Sequence, residues 1–393
     1  MVHIKKIPPY VFVCSLLYLL PGRSSAQNNQ VICFFDKEYN SFSLAPGQIV
    51  DLDPGDIAVN YVDSLRRIFG QISRNYIVKR LIQTTAISAV DDALGNLIAL
   101  DEKFYDNGFF DPEEKKAGVI FILAHEFVHC MNQDAKYSLD NSRYTNYMKE
   151  LRADERAGYA LARLSHVGIH FIEDLLRRKL FASSFSPTHP DVDYRIIAAK
   201  AGWTEAITEN LPFGTPIKVH DRIFERLQLD DRRIACGEID PSGHKIGVWK
   251  WIWQDKDYLY CFNQNSNAYP GLAVRIDKNA AGLILYMGQQ TRDQYEGHGM
   301  IFYQDHSWFT GRWLANERIS GEFHGADSSV YKGEYSNNMI NGQGNCTYKD
   351  GSVYSGEWRN GKRNGTGYLI KDNVLIHKGP WQDDVCQGLH CNN

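Results

Sequence analysis

A chain of 393 residues that is 43% hydrophobic and 23% charged is too long for one ordinary domain and too evenly composed for disorder. Its formal net charge of −4 at pH 7 excludes a nucleic-acid or anionic-membrane partner held by bulk charge. Twenty-two Tyr and eight Trp point to β structure somewhere along the chain.

The N-terminus reads as an export signal. Lys5 and Lys6 precede the apolar run Tyr10 to Leu20, followed by Pro21-Gly22 and Ser24-Ser25-Ala26. A positive flank, a short apolar core and small residues predict cleavage after Ala26. The run is shorter than the ~20 residues of a spanning helix, and no later run is long enough, so a soluble, exported mature chain without a transmembrane helix is expected, periplasmic or secreted. Removing residues 1–26 leaves 40 basic against 47 acidic side chains and seven of the eight cysteines. Seven scattered cysteines do not make a disulfide scaffold, although Cys386 and Cys391 are close enough to staple the C-terminus.

Residues 27 to about 205 mix strand-like and helix-like text. Ile49 to Leu52 and Leu97 to Leu100 read as short strands. Asp111-Pro112-Glu113-Glu114 opens a helix with an acidic N-cap and Pro at the first position. That helix runs through Val119 to Ala124, apolar on every face and so buried. Further helices are predicted over about 142–166, 169–181 and from Pro190 to near Gly202.

The sequence AHEFVHC, residues 124–130, falls on the buried helix. Residues four apart share a helical face, so His125 and His129 can present two imidazole nitrogens to one metal ion, with Glu126 placed as a general base. Zinc wants a third protein ligand and one open position. Glu150, on the next helix, is the candidate. Asp154, one turn further, can hold a ligand imidazole through a hydrogen bond. Taken without its neighbours, Glu150-Leu151-Arg152-Ala153-Asp154 would read as a solvated charged face. Ser186-Pro187-Thr188-His189-Pro190 then places His189 at the start of the next helix, followed by Arg195-Ile196. His166 and His170 read as helix-end histidines, Cys130 as a core thiol, and His298 as a turn residue.

His-Glu-x-x-His, Glu-x-x-Ala-Asp and Thr-His-Pro with Arg-Ile following resemble the zinc metallopeptidase family of the CAAX prenyl endopeptidase and HtpX, including its soluble, BepA-like members. The resemblance covers about residues 75–203. It implies Zn2+ held by His125, His129 and Glu150, Glu126 as catalytic base, and Asp154 as support behind a ligand. His189 would be a transition-state donor or a movable fourth ligand, and Arg195 would brace the ligand helix through Asp154. Phe127-Val128 replaces the common Leu-Gly inside the motif, and the spanning helices of the membrane-embedded members are missing. Within a zincin architecture, Leu97 to Leu100 would be the edge strand that pairs with an extended peptide.

From about residue 237 the text changes to recurring Gly, Tyr, Trp and Asn. Tyr331-Lys332-Gly333-Glu334-Tyr335 recurs as Tyr354 to Trp358 and His377 to Trp381, and earlier as Phe309 to Trp313 and Tyr286 to Gly288. A spacing of 22 or 23 residues over five registers is a repeat. Asn341-Gly342, Asp350-Gly351, Asn360-Gly361 and Asn364-Gly365 read as hairpin turns, and Gly247 to Trp253 as a looser opening copy. The pattern resembles the MORN repeat over about residues 240–393. That implies a hairpin array for binding a protein or a membrane surface, its aromatics forming mainly the stacking core.

The expected organisation is therefore a signal peptide (1–26), a zincin-like metallopeptidase domain (27–205), a connector (206–236) and a MORN repeat domain (237–393). The expected fold class is α+β, a mainly helical zincin-like domain followed by an all-β hairpin array. The function implied is an exported zinc endopeptidase acting on unfolded or misassembled polypeptide. The alternative is a catalytically idle zincin scaffold whose array is a protein- or lipid-binding module.

Overall fold

In the computed structural model the chain is described over residues 33–34, 49–51, 56–81, 86–91, 95–101, 111–132, 143–177, 189–253, 256–264, 271–279, 282–291 and 294–387. These fall into two compact units, one drawn from 1–141 and 149–207, the other from 142–148 and 208–393. The expected signal peptide and Ser186 to Thr188 lie outside the described residues.

The first unit contains β1 (Cys33–Phe34), β2 (Ile49–Asp51), β3 (Tyr76–Leu81), β4 (Ala86–Asp91) and β5 (Gly95–Asp101), in the order β1-β4-β5-β3-β2. β3 and β5 run parallel, with Ile77 opposite Leu97, and the other neighbours are antiparallel. The helices are α1 (Ile57–Ile68), α2 (Pro112–Asn132), α3 (Arg143–Leu164), α4 (His170–Leu175) and α5 (Val192–Thr208). Asp111 starts α2 as its sequence predicts: its Oδ1 accepts the N–H groups of Glu113 and Glu114, each at 2.9 Å, satisfying two orphan donors. At the other end Arg74 donates to the Met131 carbonyl at 2.9 Å. Between them every residue from Ala117 to Cys130 is buried. α2 packs on α1, β4 and β5.

α3 and α5 approach backbone to backbone. A Cβ added at Gly158 would lie 1.9 Å from the Ala199 carbonyl oxygen, and one at Gly202 would lie 1.7 Å from that of Glu155. Only glycine permits this approach. Gly202 was expected near the end of its helix, but α5 continues to Thr208.

Three further expectations are corrected. The chain is not led by a mainly helical class: among the described residues there are twenty-one strands against five helices. Strands such as Tyr76–Leu81 and Ala86–Asp91 carry Lys79-Arg80 and Ser88-Ala89 at adjacent positions, so no period of two marks them in the sequence. Leu97 to Leu100 is not an edge strand, because β5 lies between β4 and β3. The stretch read as a connector contributes three strands, Ile217–Val219, Arg222–Gln228 and Arg233–Ile239, to the second unit's sheet. Its charges sit among residues such as Phe224 and Ala235, both fully buried.

The second unit is an antiparallel meander of sixteen described strands, β6 (Ile217–Val219) to β21 (Val385–Cys386), each paired with the next in chain order. Its repeat has a mechanical reading. Tyr331 and Tyr354 donate their hydroxyls to the carbonyls of Glu334 and Glu357, each at 3.0 Å. Trp313, Trp358 and Trp381 donate their indole N–H groups to the carbonyls of Gly299, Gly344 and Gly367. The rings meet edge to face in an unbroken series, including Tyr331–Trp358 and Tyr354–Trp381 with centroids 5.4 and 5.3 Å apart, a favourable quadrupole geometry. Asn341-Gly342 and Asn364-Gly365 are not turns. They lie inside strands, at register shifts opposite Glu334 and Glu357. There the Glu carboxylates accept the N–H groups of Gln343 and Thr366 at 2.8 and 2.9 Å. Several of the tight turns instead use Asn337-Asn338, Asp372-Asn373 and Asp383-Asp384 at positive φ, which Asn and Asp tolerate. His298, expected in a turn, also lies within a strand.

Candidate metal centre

Three helices bring the candidate site residues together. α2 supplies His125, Glu126 and His129, and α3 supplies Glu150 and Asp154. α5 supplies Arg195, with His189 just ahead of its start. All seven are buried. His166 and His170 are exposed, and Cys130 is buried with its thiol 3.5 Å from the Leu97 carbonyl.

One ligand atom from each of His125, His129 and Glu150 lies within 4.8 Å of the other two. The individual separations are 3.0 Å between the two imidazole Nε2 atoms, 3.4 Å from His125 Nε2 to Glu150 Oε2, and 3.5 Å from His129 Nε2 to Glu150 Oε1. A tetrahedral zinc ion with ligand bonds of ~2.0–2.1 Å sets its ligand atoms about 3.3 Å apart. Two imidazoles and a carboxylate, converging at those separations in a buried position, fit that ion. His189 Nε2 lies 3.5 Å from Glu150 Oε2, on the same carboxylate.

The support behind the ligands is equally specific. Asp154 Oδ1 accepts a hydrogen bond from His125 Nδ1 at 3.0 Å. With Nδ1 engaged by Asp154, Nε2 is the ring nitrogen that faces Glu150. Arg195 donates to both oxygens of Asp154, at 2.6 and 2.8 Å, and both residues are 0% exposed. The same guanidinium lies 3.5 Å from Glu150.

Without an ion, the site's charges respond to burial and to one another. Burial works against the charged form of His125, but the carboxylates of Asp154 and Glu150 outweigh it and raise its pKa to about 9. Burial would raise Glu150, yet His189, His125 and His129 hold it well below its ordinary value. Asp154 is also opposed by burial and held low by Arg195 and then His125. Burial lowers His189.

What the sequence did not reveal is what sets α5 against α3. Gly158, Ala199 and Gly202 let the two backbones touch, which puts Arg195 within reach of Asp154. The spaced small residues on both helices were the available signal.

A family model of the MORN repeat matches residues 331–353 and 354–373, so these two segments of the second unit are MORN repeats. No curated protein matches the chain. The family match does not reach the residues that carry the metallopeptidase resemblance.

Proposed function

We propose that the chain is an exported, zinc-dependent endopeptidase acting on extended polypeptide, and that its MORN array binds a protein partner or the substrate. One observation carries the reading. His125, His129 and Glu150 converge at zinc-ligand separations, with Asp154 and Arg195 braced behind them.

His125, His129 and Glu150 would hold the ion. Zinc bound there would supply Lewis acidity, bringing the pKa of a coordinated water toward ~7. Glu126 takes the proton of the attacking water and passes it to the amine leaving the broken C–N bond. His189 donates a hydrogen bond to the oxyanion that develops on the scissile carbonyl. Asp154 keeps His125 in one tautomer throughout, and Arg195 keeps Asp154 ionised. The N-terminal stretch, with its positive flank and short apolar run, supports export. Among the described residues no helix is long and apolar enough to cross a membrane.

The family match at 331–373 favours a second reading, in which the array is the working part and the first unit an idle scaffold. Cleavage of a reduced, carboxymethylated protein by the zinc-loaded chain, compared with Glu126→Gln, separates the two. The peptidase reading expects cleavage that Glu126→Gln reduces at least ~10²-fold, with zinc content unchanged. No cleavage by a zinc-loaded wild type supports the idle scaffold.

A further inference from the structure

We infer that Arg318 is an anion-recognition point of the hairpin array, and that its ligand is a carboxylate side chain of an acidic polypeptide. The inference deepens the reading of the array as the binder of a protein partner or substrate, and it does not depend on the peptidase chemistry. Arg318 stands opposite Trp313 in the pairing register, the place that Arg363 takes opposite Trp358 in a later repeat. Both guanidinium groups lie over aromatic rings. Arg363 is 4.4 Å from the centroid of Trp381. Arg318 is 5.1 Å from Phe309, 5.8 Å from Trp313 and Tyr335, and 5.9 Å from Phe323 and Tyr303. Ring faces attract a cation, but they do not neutralise it.

The two arginines differ in their counter-charge. Asp384 Oδ1 accepts the main-chain N–H of Arg363 at 2.9 Å and its Nε at 3.2 Å, and the Asp384 carbonyl accepts Nη2 at 2.9 Å. The turn residue that does the same for Arg318 is Asn338, whose Oδ1 accepts the main-chain N–H at 3.0 Å. An amide carries no charge. The Arg318 guanidinium donates instead to the Tyr303 hydroxyl, its Nε is buried without a hydrogen-bond partner, and among the described residues no carboxylate pairs with it. A half-buried cation among aromatic rings is poorly solvated, so a ligand that brings one negative charge gains most there. The planar fork of arginine matches the two oxygens of a carboxylate, and the surrounding rings strengthen such a pair by lowering the local dielectric.

The test measures binding to the full-length chain, by anisotropy, of a fluorescein-labelled peptide of alternating Ser and Glu and of its Ser and Gln counterpart. Both are titrated in the Glu126→Gln background, so that neither is consumed. Arg318→Met removes the charge and keeps the length of the side chain. Asn338→Asp leaves Arg318 in place and gives it the internal counter-charge that Asp384 gives Arg363. Wild type is expected to bind the Glu peptide about tenfold tighter than the Gln peptide. Both substitutions are expected to bring the Glu peptide down to the level of the Gln peptide, with the thermal unfolding of Asn338→Asp no lower than that of wild type. A purely structural Arg318 predicts instead that Asn338→Asp binds as wild type does, and that result overturns the inference. Equal binding of the two peptides, unchanged in Arg318→Met, also overturns it while leaving polypeptide binding standing. Binding of neither peptide removes both. Binding to phosphatidylcholine vesicles only when they contain phosphatidylserine, lost in Arg318→Met and without discrimination between the peptides, assigns Arg318 to a membrane surface and overturns the polypeptide ligand.

Discussion

Asp154 is the residue on which the site's geometry turns. It touches His125 and Arg195 at once, inside the protein, and so links the orientation of a ligand to α5. Asn in its place keeps the shape and loses the charge that Arg195 faces. Asp154→Asn is expected to weaken zinc binding ~10–100-fold, measured by competition with a chromophoric chelator, and to remove one of the two carboxylates that Arg195 faces. His125 with His129, and Glu150 with Asp154, were legible as pairs because residues four apart share a helical face; that the two pairs belong together came from the order of the motifs and the resemblance. Arg195 was legible only through resemblance, since its partner lies 41 positions away. His189 sits against Glu150 in the fold, but nothing in a Ser/Pro-rich stretch dictates that proximity.

The contact of α3 with α5 and the neighbouring surface of α4 set tolerance to change at the scale of elements. Gly158→Ala puts a methyl group where a carbonyl oxygen already lies. An expected loss of ~1–3 kcal/mol would appear in thermal unfolding, together with weaker zinc binding as Arg195 shifts from Asp154. α4 and α5 are also joined by Glu173, which accepts from Lys200 at 2.7 Å and from Arg177 at 3.0 Å. Those two cations, Lys200 first, lower its pKa to about 2. A carboxylate lowered on folding stabilises above its unfolded value of 4.5 and loses that contribution as pH falls to about 2. Glu173 is 42% exposed, so Glu173→Gln should cost no more than ~1 kcal/mol at pH 7. The difference from wild type should vanish in acid unfolding curves towards pH 2. The start of α2 was readable from Asp111-Pro112. The position of β5 was not, because a run of Leu-Ile-Ala-Leu specifies burial without specifying its neighbours.

Over the whole molecule, two kinds of architecture are encoded in different ways. The array repeats one local solution, a tyrosine over paired glycines, a tryptophan bonded to the strand before it, and a glutamate bridging a bulge. Its existence was therefore visible from a period of 22 or 23 residues. What the period hid was the role of each glycine: Gly342 and Gly365 serve bulges, while Asn337 and Asn338 make a turn. Trp358, 6% exposed among Tyr331 and Tyr354, is expected to cost ~3–5 kcal/mol as Trp358→Ala, read from urea unfolding. Tyr354→Phe removes the hydroxyl that donates to the carbonyls of Glu357 and Asn364 and should cost ~1 kcal/mol. The first unit, by contrast, is built from long-range pairings such as β3 with β5 and Gly158 with Ala199. No period announces these.

The most direct measurement is the zinc content of the purified full-length chain after dialysis against a weak chelator, alongside His129→Ala and Glu150→Gln. Wild type is expected to retain one zinc per chain, and each substitution to lose it at the same chelator concentration. A wild type without zinc, or zinc retained undiminished by both variants, would contradict the assignment of His125, His129 and Glu150 as the metal centre.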